Sequence, residues 1–274
     1  MNYLLAKIKG KGETVYKILS QDEILWEIPN FSNTPNFDPN YKLEEDEWFQ
    51  IENFSTSSYT NDLINKPFNT TNYLQLTTDK YGKIVYFCGK QGEYYCFQKA
   101  SKNQLIKKKW FRASFSPKLE KDAPIIVLNP YLDALYDIQA NVLYFREFSK
   151  LKTFFKGIEI LYREATNDEV RDFLSRSFIK IDDNYSEESV KTANRKRIAL
   201  AIDTLRQFSS NDNAKIFQYI RDYCEDIPIE DNAFKVSNEE QLKKVLYGIE
   251  QRYYMTPIGA KKRLANSIQE ISHH

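Results

Sequence analysis

Histidine is the side chain best suited to acid–base work near neutral pH, and the only two in 274 residues are His273 and His274. A terminal pair of this kind reads as a remnant of a purification tag. Setting it aside removes the Ser-His-Asp triad, the Cys-His dyad and the usual His-containing zinc sites. Cys88, Cys96 and Cys224 are an odd number without a CxxC spacing. They point to a reducing compartment, and the aromatic, strand-like surroundings of Cys88 and Cys96 predict buried structural thiols. No GxxxxGK[ST], GxGxxG or GxSxG is present, so neither a phosphate-cradling loop nor a nucleophile elbow is available. The carboxylate candidates for a divalent metal are Asp133 with Asp137 and Asp182 with Asp183. The first pair, four apart on a strand, would share a face about 13 Å apart, too far for one ion. The second precedes a capped segment, where acids serve as caps or loop residues. No catalytic residue, metal ligand or cofactor is assigned.

The cations are more promising. Lys107-Lys108-Lys109-Trp110-Phe111-Arg112 interleaves positive charge with aromatic rings, a mixture suited to phosphates and unstacked bases. It equally suits an edge strand guarded by lysine, with Trp110 buried. Arg195 and Lys196 lie mid-helix and could touch phosphate or simply be solvated, while Arg197, nearest the apolar stripe, is expected to pair with a carboxylate. Lys261-Lys262-Arg263 forms a third group in a basic tail. Lys7, Lys9 and Lys11, alternating along the first hairpin, are the weakest. The predicted nucleic-acid contacts are therefore Lys107, Lys108, Lys109, Trp110, Arg112, Arg195, Lys196, Lys261, Lys262 and Arg263.

These residues need a scaffold, and the hydrophobic periodicity supplies one. Up to about residue 145 the chain alternates as short strands: Tyr3 to Lys9 and Glu13 to Leu19 form a hairpin, then Tyr73 to Thr77, Lys83 to Cys88, Glu93 to Lys99, Gln104 to Arg112, Ile125 to Leu128, and Tyr131 to Asp137 with Val142 to Phe145. Between about 20 and 70 lies an irregular excursion punctuated by proline and an acidic run, with a short element around Trp48 to Ile51. From Arg146 the period becomes helical, beginning with Phe148, Leu151, Phe154 and Phe155. Thr166 and Ser237 open capping boxes, Ser186 starts a longer helix, Asn211 caps another, and Pro257 and Gly259 end the last. The expected fold is α+β: an antiparallel β region over 1–145 and a mainly helical region over 146–274.

Charge is nearly balanced, 39 Lys+Arg against 38 Asp+Glu for a net +1, so any polyanion surface must be local. Residues 1–100 carry 10 basic and 13 acidic groups and the remainder 29 and 25. With 42% hydrophobic residues a packed core is expected. No apolar run is long enough to span a membrane, which leads to the expectation of a cytoplasmic protein. The scarcity of glycine beside abundant Asn, Lys, Ile and Tyr suggests A+T-rich, bacterial coding.

The stretch Ala123 to Phe155 places Leu132-Asp133-Ala134-Leu135, a hairpin, Val142-Leu143-Tyr144-Phe145 and then Phe148 and Phe154-Phe155 in order. Further on come Phe234-Lys235-Val236, the capped helix at Ser237, Arg252-Tyr253-Tyr254, Gly259 and Ala265-Asn266-Ser267. These patterns resemble the KwaB-like proteins of the Kiwa anti-phage system over residues 80 to 270, with 20–70 outside the resemblance. It implies a DNA-binding protein, commonly dimeric, working beside a transmembrane partner in phage defence, with no catalytic centre to carry over. Three classes stay open: a nucleic-acid-binding effector, a protein-interaction scaffold without nucleic-acid binding, and a carboxylate-metal nuclease.

Overall fold

The structure is a computed structural model that describes residues 1–10, 15–31, 33–106, 110–112, 118–120 and 125–268. It is α+β, with an antiparallel sheet in the N-terminal half and helices in the C-terminal half. In chain order the first part contains β1 (Asn2–Ile8), β2 (Val15–Gln21), β3 (Phe49–Glu52), α1 (Asp62–Asn65), β4 (Ile84–Gln91) and β5 (Tyr94–Lys99). Four short strands follow, β6 (Leu105–Ile106), β7 (Trp110–Arg112), β8 (Lys118–Glu120) and β9 (Ile125–Ile126), then β10 (Ala134–Asp137), β11 (Val142–Phe145) and α2 (Phe148–Leu151). The remainder comprises α3 (Asn167–Leu174), β12 (Ile179–Ile181), α4 (Thr192–Gln207), α5 (Ser210–Tyr223), β13 (Ile229–Glu230), β14 (Ala233–Val236), α6 (Glu239–Ile249), β15 (Tyr253–Met255) and β16 (Lys262–Leu264).

Contacts divide the chain into two compact units, Met1–Asp38 with Leu43–Glu159, and Pro39–Lys42 with Ile160–His274. The division falls after Glu159 rather than near 145, because Phe154 and Phe155 pack on the sheet's aromatic side chains. The sheet of the first unit has seven strands in the order β2-β1-β4-β5-β10-β11-β3. Its register aligns Leu5, Cys88, Phe97, Ala134, Phe145 and Phe49 in one row across the strands. By the period of two, Lys7 and Tyr86 lie on the same face as that row. Phe54, Phe154 and Phe155 cover this face, with Phe155 4.8 Å from Phe54 and 5.1 Å from Phe97 between ring centroids.

The opposite face carries Leu4, Ala6, Phe87, Cys96 and Leu135, and the 20–70 excursion closes it. Trp26 lies over Gly89, where an added Cβ would meet its ring at 2.6 Å. The buried Gln91 side chain holds Trp26 in place, accepting from its backbone N–H and donating to its carbonyl at 2.7 Å. Phe31 stacks on Tyr144 at 4.1 Å. The irregular segment is therefore a cover for the sheet, which no local pattern disclosed.

The core of the second unit gathers Val170 and Phe173 of α3, Ile198 and Ile202 of α4, Phe234 and Val236 of β14, and Leu242, Val245 and Leu246 of α6. A small sheet in the order β12-β14-β13, with β12 and β14 parallel, belongs to this unit. Helix α6 approaches α5 closely at Gly248, where a Cβ would fall 2.2 Å from Ile220 Cγ1.

Several local expectations are corrected. Tyr73 to Thr77 forms a single bridge, Gln75 to Lys17, instead of a strand. The Phe148 stripe makes one helical turn. Ser186 opens only a 3-10 turn over Glu187–Ser189, because Val190 is buried with extended backbone and breaks the helix before α4. Ser209, through a capping box with Asp212, caps α5 in place of Asn211. Asn238 rather than Ser237 caps α6, accepting from Glu240 and Gln241 N–H. That helix ends at Ile249, where Gln251 takes a positive φ of 54°. Pro257 and Gly259 lie in the link between β15 and β16, so Lys262 and Arg263 sit in a hairpin strand and not in a free tail. The Thr166–Glu169 capping box forms as expected.

Candidate nucleic-acid interface

In the first unit, Lys7 lies near the end of β1 and Lys9 follows it in the bend beyond the strand. The ladder continues past Ile8 through Lys9 N–H donating to Lys83 O at 2.7 Å. Beside them runs a cleft of about 700 Å³ lined by Lys7, Lys9, Lys66 and Lys156, together with Asn61, Tyr73, Thr153 and Phe154. Buried Asn61 fixes two of its walls. Its Oδ1 caps α1 by accepting Leu63 N–H at 3.1 Å, and its Nδ2 donates to Phe154 O at 3.2 Å. One side chain thus ties the segment that carries Lys66 to the segment that carries Lys156.

Among the described residues lining the cleft Asp62 is the one acid, and it pairs with Lys66 at 2.8 Å one turn away. Lys9 and Lys156 are exposed, and among the described residues neither forms an ion pair. With cations in excess and little competing carboxylate, the local potential favours an anion. Tyr73 is half-buried and backed by Phe68, the rings 5.6 Å apart and 24° from parallel. Burial raises its phenol above the ordinary value, so the ring is neutral at pH 7. Chemically the cleft can hold phosphate oxygens through ammonium groups while offering an aromatic wall.

The sequence-predicted contacts fare differently. Lys107, Lys108 and Lys109 lie outside the described residues. Trp110 and Arg112 belong to β7, which pairs antiparallel with β8. Arg195 is engaged within its own unit, donating to Val190 O at 2.9 Å, Asn167 Oδ1 at 2.8 Å and Glu187 O at 3.0 Å. Lys196 sits 4.5 Å over the Tyr162 ring. Arg197 has no carboxylate partner among the described residues: it donates to Ala193 O, Asn194 Oδ1 and Tyr247 OH and lies over the Tyr247 ring at 5.0 Å. That expectation is corrected: the Tyr247 ring and hydroxyl, a carbonyl and an amide oxygen engage the guanidinium instead. Lys262 bonds Asp222 O and Glu225, each at 2.5 Å. Lys261 and Arg263 are exposed on the last hairpin.

Three of the four carboxylate candidates are also engaged, and the fourth, Asp183, is exposed. Asp133 precedes β10 instead of sharing it, pairs with Lys150 at 2.8 Å and accepts Lys99 N–H at 2.7 Å. Asp137 closes a turn by accepting from Gln139 and Ala140. Asp182 accepts Asn184 N–H at 3.2 Å. No group of three or more His, Cys, Asp or Glu is arranged to hold a metal ion among the described residues. The three cysteines are free and buried, and burial pushes the Cys96 thiol up to about 12.

Sequence reasoning ranked Lys7 and Lys9 last and did not single out Lys66, Lys156, Asn61 or Tyr73. Isolated lysines far apart in the chain carry no local signal. Neither a family model, nor a curated protein, nor a solved structure matched this chain when compared. Among the described residues no helix is long and apolar enough to cross a membrane.

Proposed function

We propose that this chain is a non-catalytic DNA-binding protein that holds phosphates in the lysine-lined cleft of its first unit. The observation that carries the reading is the meeting of Lys7, Lys9, Lys66 and Lys156, from three separate segments, around one cleft with a single acid among its described lining residues. A protein of net charge +1 can hold a polyanion only by gathering cations in this way. The resemblance to the KwaB-like proteins supports DNA as the polyanion, with phage defence, a dimeric state and a transmembrane partner as its setting. Lys261 and Arg263 offer a second, smaller set of exposed cations.

A salt-titrated binding measurement tests this. Lys9→Ala combined with Lys156→Ala should lower affinity for all sequences alike and flatten the log-log salt slope on duplex DNA by about 0.9 per contact removed. Lys261→Ala with Arg263→Ala should change it less. An unchanged slope in the first double variant, with the protein folded, would overturn the reading. A slope flattened only by the second pair would move the site to the last hairpin.

A further inference from the structure

The cleft contains more than charge, and its dimensions restrict what can enter. The major groove of a B-form duplex alone is about 12 Å across. A cleft of about 700 Å³ falls in the range of small-molecule pockets, about 300–1,000 Å³. It is large enough for a short run of nucleotides and too small to surround a double helix. Duplex DNA could only lie across its mouth, touching exposed Lys9 and Lys156 and leaving the aromatic wall unused.

That wall is built to stay in place. Tyr73 is backed by Phe68, which in turn contacts Tyr3 at 5.0 Å. The three rings form a short aromatic file, of which Tyr73 lines the cleft. Phe154 lines the interior of the cleft and packs edge-on against Tyr86 at 5.3 Å. A fixed ring next to a row of ammonium groups is the arrangement by which proteins bind single strands without reading sequence, since every base has a π-face.

We infer that the cleft takes a segment of single-stranded DNA, its phosphates on Lys9 and Lys156 and a base stacked on Tyr73. The inference rests on the proposed DNA-binding reading and narrows it to a substrate class. Thr153 and Asn72, both lining the cleft, supply polar groups that can meet sugar or base edges. Asn61, by joining the two walls, is a positioning residue.

The test compares a labelled fifteen-nucleotide oligo-dT with a fifteen-base-pair duplex at matched salt, on the full chain. The single strand should bind at least tenfold more tightly. Tyr73→Ala should weaken single-strand binding about fivefold to a hundredfold and leave duplex binding within twofold. Tyr73→Phe, which keeps the ring and loses the hydroxyl, should retain most of the affinity and guards against misreading a folding defect. Lys9→Ala with Lys156→Ala should flatten the single-strand salt slope by about 0.7 per contact. Duplex binding equal to or tighter than single-strand binding would overturn the inference, as would a folded Tyr73→Ala of unchanged affinity. The broader DNA-binding reading would then stand so long as the lysine variants still changed the slope. Absence of binding to either form would overturn both.

Discussion

Cations are treated in opposite ways in the two units. Around the cleft of the first unit, Lys9 and Lys156 are exposed with one acid among the described lining residues, and that acid is matched to Lys66. In the second unit the densest cationic runs are largely satisfied from within: Arg195 by two carbonyls and an asparagine, Arg197 by the ring and hydroxyl of Tyr247, Lys262 by Glu225 and a carbonyl. A guanidinium engaged by several local acceptors contributes to folding and adds little to anion capture. Density of Lys and Arg along the chain is therefore a poor measure of a phosphate surface. What counts is how many cations meet in space without a carboxylate between them.

The strongest way to break this comparison is to damage each core separately. Phe155→Ala removes a fully buried ring that touches Phe54 and Phe97. It should cost about 3–5 kcal/mol in urea unfolding. Because Phe154 beside it lines the cleft, DNA affinity should fall under conditions where the variant is still folded. Gly248→Ala in the second unit forces a Cβ against Ile220 and should cost about 1–3 kcal/mol with DNA affinity unchanged in the folded state. Equal loss of binding in the two variants would mean that the cleft is not where DNA binds.

A smaller effect separates the units by pH. Hydrogen bonds from Arg163, first among the causes, hold the Glu169 carboxyl at about 2, against an ordinary value of 4.5. A carboxylate depressed in the folded state contributes stability that is fully present above pH 4.5 and lost as pH falls through that value toward 2. Glu169→Gln keeps a capping side chain yet removes the charge and the pairing with Arg163. It should lower stability at pH 7 by about 1 kcal/mol and flatten the acid limb of a pH-dependent unfolding series. No such flattening would show that the pair is inert.

The smallest predicted effect sharpens the comparison from the other side. Asp62→Asn removes the one carboxylate among the described residues lining the cleft and releases Lys66. Stability should change by no more than about 0.5 kcal/mol, as for other exposed pairs. Affinity for DNA should rise, with a steeper salt slope, since one more ammonium group faces the polyanion. A fall in affinity would mean that Asp62 orders Lys66 for binding instead of competing with DNA.

Much of the fold was legible from neighbouring residues. Alternation in Lys83 to Cys88 and Glu93 to Lys99 marked β4 and β5, and Thr166 with Glu169 marked the start of α3. Local chemistry misled where a long-range contact decided. Ser186 has the right neighbours to start a helix, but burial of Val190 in the second core ends that turn after three residues. The 20–70 excursion carries no period because its residues answer to the sheet beneath them: Trp26 to Gly89 and Gln91, Phe31 to Tyr144.

By itself the sequence determined the α+β class, the burial of Cys88 and Cys96 within strands, and the cap that opens α3. These rest on periods of two or three to four and on hydrogen bonds spanning three residues, so the information lies within a few positions of where it acts. Only the tertiary structure decided which cations meet. Lys7 and Lys9, Lys66 and Lys156 come together because β1 pairs with β4, Phe154 packs on Tyr86, and Asn61 joins the two remaining segments. Each of those contacts links positions far apart in the chain, and a lone lysine in sequence carries no mark of the neighbours that folding will give it.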